Sequence, residues 1–412
     1  MLLQFEASLA RINTFMKLIG LSIDSNDSNK TMLERLRHHW VYFIHMISFN
    51  ISLLGQFAWL VQGLVYGATL WEITYLLPCL TLCLLGHFKV YFFIRYIHHV
   101  NDLVEVLRKL QSYDAKYKDE QLKEIKKWVT FLSAITKLLL SLTVLAVVAF
   151  ALGPFVITAS YYSITGKLKL FLPFIVWYPF DSFNLRIWPF VYLHQLWSAW
   201  VCVFSVLGSD CFFYTCCTFI QFQFLILNNN LKHIVTQDLF DQSSSAIDEF
   251  KKDFVELVNQ HRDLIRCVNL LEIIYSKSTL FNVITSSMII CATGFNLLVI
   301  ENYALMAPFT SFLSFGLLQI FLYCCYSDYV MRSSMGVGDA VYNSQWYKTG
   351  AAQRKYILIV LIRSQTPCKL TAYGFTDINL RTFTRVSYMI HDTQYFLVLL
   401  RPPATNVPRL KI

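Results

Sequence analysis

The sequence is poor in charge. Only 15% of its 412 residues are Asp, Glu, Lys or Arg, against 56% hydrophobic, and the mean hydropathy is positive at +0.47. Ordinary soluble domains carry about 25% charged residues, so that class is excluded and a polytopic helical membrane protein remains. A catalytic constellation is also lacking, because His45, His87, His194, His233 and His261 have no nucleophile or carboxylate at a useful spacing. There is no nucleic-acid signature: the net charge of +9 comes from basic residues in alternate loops between apolar runs, which is topology information. The chain shows no internal repeat, no low-complexity segment, no row of membrane acids for a proton relay, and no paired halves with broken helices of the transporter kind. The N-terminal stretch has Glu6, Arg11 and Lys17 spread through an amphipathic helix pattern, which argues against a cleaved signal peptide.

Cysteine is odd in number, at eleven, and most copies lie inside apolar runs, where they read as small buried hydrophobes. Cys79, Cys83 and His87 share one helical face, but no fourth ligand or second cluster accompanies them, so neither a metal nor another cofactor is expected.

What is present is a series of long apolar runs. The first covers about 40–65, the second about 73–94, the third about 129–155, and the fifth and sixth about 278–300 and 304–329. Between the third and fifth, Trp188–Leu227 is about 40 residues long with Asp210 as its only charge, twice the roughly 20 residues a span needs. Charge counting decides whether it crosses once or twice. Loops 1–38, 96–128, 228–277 and 332–369 each hold five or more Lys and Arg, whereas 67–71 and 301–304 hold none and 156–187 holds only Lys167, Lys169 and Arg186. The alternation survives only if 188–227 crosses once and continues as a stalk beyond the membrane. A cytosolic helix over 238–274 follows it. The fold class is therefore all-α, a seven-helix polytopic membrane protein with a cytosolic N-terminus and an extracellular C-terminus. Its units are a cytosolic amphipathic segment 1–38, spans one to six over 39–331, a cytosolic anchor helix within 332–369, a seventh span over 370–401 and an extracellular tail 402–412.

The seventh span carries a polar stripe. Asp377, Arg381, Arg385, Tyr388, Asp392 and Tyr395 recur every three or four residues, which places them on one helical face among apolar neighbours. Lipid cannot satisfy such a stripe, so it must meet protein or water. Beyond it the apolar collar Phe396–Leu400 has the character of a constriction that gates by dewetting.

Three stretches carry a family resemblance. They are Leu172–Asp181 followed by Asp210 and Gln221-Phe222; Ser334, Val337, Ala340, Tyr342 and Trp346-Tyr347; and Gln365, Pro367, Leu370–Ala372, Gly374-Phe375, Leu380, Thr382-Phe383 and Tyr395–Arg401. In that order, on an inverted seven-span chain, they resemble the insect odorant receptor family. Two departures stand out: Tyr373 occupies a position that often holds a small residue, and Asp377–Asn379 is more polar than usual. The resemblance implies a subunit of an odorant-gated cation channel, assembled with a shared coreceptor as a heterotetramer in the plasma membrane of olfactory neuron dendrites. The short connection Asn228–Lys277 and Arg401, where the coreceptor pattern has glutamine, point to the ligand-binding subunit. The competing classes are a metabotropic seven-span chemoreceptor and a gustatory-type receptor, whose Thr-Tyr and Gln-Phe pairs are missing around Tyr395–Arg401.

By the same resemblance, a small hydrophobic volatile is expected in the outer half of spans two to six. Trp71, Tyr75, Val147, Phe150, Leu196, Trp200, Phe295, Phe315 and Gln319 lie at that depth, with Gln319 as the one orienting amide and no buried charge nearby. Asp392, Tyr395, Val398, Leu399 and Arg401 are the implied pore and gate residues, with Val398 at the constriction. Tyr342, Trp346, Tyr356, Leu358, Leu361 and Phe375 are the implied subunit contacts.

The charge alternation makes a direct prediction about topology. An epitope tag placed after Ile412 is expected to bind antibody on intact cells; binding that appears only after permeabilisation would show the orientation or the span count to be wrong.

Overall fold

A computed structural model describes residues 2–21, 40–68, 70–112, 119–239, 244–299 and 303–388. Its helices are α1 (Leu2–Lys17), α2 (Trp40–Tyr66), α3 (Leu70–Arg95), α4 (Ile97–Ser112), α5 (Asp119–Thr165), α6 (Trp188–Lys232), α7 (Ser244–Val299), α8 (Tyr303–Tyr342) and α9 (Ala351–Ser364). Among the described residues, α2, α3, α5, α6, α7 and α8 contain windows long and apolar enough to cross a membrane. A further helix begins at Leu380 and is described as far as Tyr388.

Trp188–Lys232 is one helix, as the loop charges required. Its 45 residues extend roughly 68 Å at 1.5 Å per residue, more than twice the thickness of a hydrocarbon core. It is also the centre of the fold. Its most apolar window is 72% buried, whereas that of α5 is 11% buried, so α6 is wrapped by its neighbours while α5 offers Leu138, Leu142, Leu145 and Leu152 to lipid.

Several boundaries differ from those expected, and for one reason: no residue stops the helix where hydropathy falls. Helix α5 continues past Phe155 and ends at Thr165, immediately before Gly166, whose φ of +68° is the left-handed conformation that closes helices. The expected cytosolic helix and the fifth span are a single 56-residue α7, because Tyr275-Ser-Lys277 contains no breaker. Helix α8 runs past the sixth span to Tyr342. The 332–369 unit is therefore the end of α8, a 3-10 turn at Trp346–Lys348, and α9. Asp377 does not begin the polar stripe of the last span, since it precedes the helix and pairs with Lys369 at 2.8 Å.

The amphipathic N-terminal helix is part of the core. Phe5, Leu9, Ile12, Phe15 and Met16 are buried, Phe5 meets Phe219 of α6 edge-on at 5.0 Å, and Gly208 leaves room for the Met16 thioether. Glu6 pairs with Arg108 of α4 at 2.6 Å and Arg11 donates to Ser133 of α5 at 2.7 Å.

Two polar devices hold the spans together. Pro78 inside α3 removes the N–H that the Thr74 carbonyl would otherwise accept. Asn296 of α7 replaces it, donating from Nδ2 to that carbonyl at 2.8 Å while its Oδ1 accepts from the Thr74 hydroxyl at 3.1 Å. The second device is an ion pair between Lys89 of α3 and Asp210 of α6, both almost wholly buried. Asp210 also accepts from the Tyr323 hydroxyl at 2.7 Å and from Gln319 Nε2 at 2.6 Å, so α3, α6 and α8 converge on one carboxylate.

Breaking a buried pair from one side leaves an uncompensated charge and costs about 3–5 kcal/mol, while replacing both partners by apolar groups is often neutral. Asp210→Ala is therefore expected to abolish the monodisperse folded peak in size-exclusion chromatography of the solubilised protein, and Lys89→Met with Asp210→Leu to restore most of it. Equal behaviour of the single and double variants would show that the pair does not hold the helices.

Candidate functional site

A cavity of ≈ 20 Å³ lies between α3, α5, α8 and the loop that joins α5 to α6. Tyr75, Leu76 and Cys79 line it from α3, Phe150 from α5, Phe309 and Phe312 from α8, and Pro173, Phe174 and Ile175 from the loop. The rings pack on one another. Tyr75 meets Phe309 edge-on at 5.2 Å, and Phe150 stacks on Phe174 at 5.2 Å while reaching Phe312 at 5.4 Å.

The loop is pulled inward by hydrogen bonds at three points. The Phe174 N–H donates to Gln195 Oε1 at 3.0 Å, the Trp177 N–H to the Gly55 carbonyl at 3.0 Å, and the Trp188 indole to the Phe171 carbonyl at 3.1 Å. A glycine is required at position 55, because a Cβ there would stand 2.4 Å from Val176 Cγ1 and 2.6 Å from the Trp177 carbonyl oxygen. His194 adds a fourth tie, bridging the Tyr178 hydroxyl and the Ser48 carbonyl at 3.1 Å each. The α5–α6 loop is thus a lid resting on α2 and α6.

Of the residues expected in the pocket, Tyr75 and Phe150 line this cavity. Val147 lies half-buried about one turn away on α5; Phe295 is buried and Phe315 half-buried, and neither lines it. Leu196 is half-buried, and Trp200 is 38% exposed against Phe204 at 4.4 Å. The side chain of Trp71 lies outside those described. Gln319 faces Asp210 rather than the cavity, and the expectation that no buried charge lies in this region is corrected by the Lys89–Asp210 pair. The loop residues belong to the Leu172–Asp181 stretch that carries the resemblance but were not expected in the pocket. Their signal was Leu172–Trp177, an apolar run in a segment too short to cross a membrane, which has to be covered by something.

Chemically the cavity offers aromatic and aliphatic walls with one phenol and one thiol. Nothing among its described lining residues compensates an ionic charge, so it suits a neutral, mostly apolar molecule. Its volume is far below the roughly 300–1,000 Å³ of pockets that enclose drug-sized ligands, so only a small molecule that displaces the rings can occupy it.

The approach to the last span is held rigidly. Glu272 of α7 accepts from the Thr371 N–H at 2.8 Å and also from its hydroxyl, and Ser276 accepts from the Tyr373 N–H at 3.0 Å. Tyr373 and Gly374 both take left-handed conformations, with φ of +53° and +75°. That is the physical reason a small residue suits position 373. Asn379 then caps the final helix, its Oδ1 accepting from the Thr382 N–H at 2.9 Å. In the first turns Phe383 and Val386 pack against α7 and α8, while Arg381, Arg385 and Tyr388 stay exposed. Asp392, Tyr395, Val398, Leu399 and Arg401 lie outside the described residues.

The expected contact residues divide into two groups. Tyr342, Tyr356, Leu358 and Phe375 are exposed, joined by Tyr347, Ile359 and Ile362, which were not among the expected contacts. Trp346 and Leu361 instead pack against the chain's own core.

Comparison with known proteins agrees with this architecture. Odorant receptor 67c of Drosophila melanogaster is 24% identical over 403 residues, covering 95% of each chain, and odorant receptor 67a of the same fly is 23% identical over 392 residues, covering 92% of this chain and 94% of the relative. The olfactory receptor OR5 of Machilis hrabei, solved in complex with eugenol, superposes with a TM-score of 0.81 at 15% identity over 97% of this chain and all of that one. Residues 69–390, most of the chain, match the 7tm Odorant receptor family, and the protein belongs to that family of insect odorant receptors.

Proposed function

We propose that the protein is the ligand-binding subunit of an odorant-gated, non-selective cation channel, formed with a shared coreceptor in the plasma membrane of olfactory neurons. The observation that carries this reading is the aromatic cavity under its lid, whose wall is built partly by α8. From Phe309 the same helix continues for about 50 Å to Tyr342, at the exposed apolar surface of α8 and α9. A small volatile that spreads Phe309 from Tyr75, or Phe312 from Phe150, moves the outer end of a rigid rod whose inner end sits where another subunit would dock. The ligand class is neutral and apolar or weakly polar, in keeping with the walls of the cavity and with the eugenol complex of the Machilis receptor.

The last span supplies the conduction path in this proposal. Its packed face is occupied by Phe383 and Val386, so the Arg381, Arg385 and Tyr388 face points away from the chain's own helices, as a conduit shared between subunits requires. Val398 would contribute the constriction and Arg401 the ring just outside it. The loops rich in Lys and Arg support a cytosolic N-terminus.

Expressed alone, the chain is expected to give little ligand-evoked current, and with a coreceptor subunit a large one that persists in excised patches without nucleotides. Full-sized current from this chain alone would sink the subunit assignment. A response abolished by removing nucleotides would favour a metabotropic receptor.

Within the cavity, Phe312→Trp overfills space already closed by rings. It is expected to raise the half-maximal odorant concentration roughly tenfold, equivalent to about 1.4 kcal/mol, at unchanged surface expression. An unaltered dose–response curve across a panel of odorants would place the binding site elsewhere.

A further inference from the structure

One face of α7 is polar where it is most deeply buried. Ser278, Asn282 and Ser286 are four residues apart, lie on the same side of the helix and are 3%, 1% and 0% exposed. Asn282 Oδ1 and the Ser278 and Ser286 hydroxyl oxygens have no hydrogen-bond partner in the protein. Gln319 of α8 shares this state: its Nε2 donates to Asp210, but its Oε1 has no protein partner.

The helix register sets this face, about 12 Å from end to end, alongside Gln319 and the ion pair. Gly316 of α8 abuts Ile290 of α7, where an added Cβ would stand 3.3 Å from Ile290 Cγ1. The two helices are consecutive and run in opposite directions, so Gln319, three residues further along α8, is level with Ser286. Tyr323 is level with Asn282. On the other side Phe88 stacks on Phe281 at 4.1 Å, which sets Lys89 beside the turn that holds Asn282. The Tyr275 hydroxyl donates to the Ser209 carbonyl at 2.7 Å, bringing α7 against the residue next to Asp210. The four unpartnered oxygens and the ion pair thus belong to one junction of α3, α6, α7 and α8.

We infer that this junction binds a small cluster of ordered water, which donates to Ser278, Asn282, Ser286 and Gln319 and completes the hydrogen bonding of Lys89. The donor balance selects water. The two amide oxygens accept only, while each hydroxyl both donates and accepts, and a water molecule supplies two donors, so roughly two waters serve four such oxygens. A metal cation would also find oxygen ligands here. Asp210 is the counter-charge at hand, however, and it already accepts from Lys89, Tyr323 and Gln319, so a second cation would stay unneutralised in a buried site. The consequence is mechanical. Water-bridged contacts exchange partners without a dry polar group being exposed, so α7 can shift against α3 and α8 at this level while the ion pair stays closed.

Radiolytic hydroxyl-radical footprinting of the full chain in nanodiscs tests the assignment, because bound water generates radicals next to side chains that solvent does not reach. Tyr323 and Tyr275, 2% and 3% exposed, are expected to be modified severalfold faster, after normalising for intrinsic reactivity, than the comparably buried Phe219, which meets Phe5 of α1, and Phe222, which meets Phe219. Rates no higher than those of Phe219 and Phe222 would overturn the proposal. Asn282→Leu with Ser286→Ala is expected to remove the excess labelling at Tyr323. If that pair fails to fold, the milder Ser286→Ala is expected to lower it, and the comparison within the unmodified chain decides in either case. Exchanging sodium and potassium for a large organic cation is expected to leave the pattern unchanged; labelling that follows the inorganic cation would replace water by a bound ion.

Discussion

Lys89 reaches across from α3 to Asp210 of α6, and the carboxylate gathers Tyr323 and Gln319 from α8 around it. Neither charge is stable in the bundle without the other, so the three helices are fixed in register by a requirement much stronger than apolar packing between helices already surrounded by lipid. The cavity lies toward the N-terminal ends of α3 and α8, and the exposed apolar surface of α8 and α9 lies at the opposite end of α8. The ion pair is therefore the fixed point between the aromatic cavity and the exposed apolar surface.

The cavity end is built differently. There the rings of Tyr75, Phe150, Phe174, Phe309 and Phe312 close on each other, and the lid is tied by hydrogen bonds to Gln195, Gly55 and His194. Aromatic contacts of this kind are replaceable by an aromatic or aliphatic ligand at small cost, whereas the ion pair is not. The Thr74–Asn296 ties hold α3 to α7 just beside Tyr75, so at that level the two helices stay together and the ring cluster is the part that can yield.

Much of this was legible in the sequence. The loop charges alone required a single helix over 188–227, and the structure has one. The resemblance placed Tyr75 and Phe150 in the pocket, and both line the cavity. Helix ends were less legible, because hydropathy reports where lipid stops and not where the backbone stops; Gly166 ends α5 ten residues beyond the apolar run, and no residue interrupts α7 at all. Gln319 was expected at the ligand; its bond to Asp210 was not legible because the two lie 109 residues apart in the chain. The lid residues Pro173–Ile175 were not placed at the pocket because an apolar loop has no periodicity to announce which helices it will cover.

Helix α1 sets a problem of timing for biosynthesis. Its apolar face is completed by α6, and the contact between Phe5 and Phe219 joins residues 214 positions apart. At a synthesis rate of about 5–20 residues per second, the first helix leaves the ribosome roughly 10–40 s before its seat exists. Throughout that interval Phe5, Leu9, Ile12, Phe15 and Met16 form an unsheltered amphipathic stripe beside a membrane into which the later spans are being inserted. Helix α1 is thus made well before its seat, and the cell must shelter it on the bilayer surface or with a chaperone until α6 arrives.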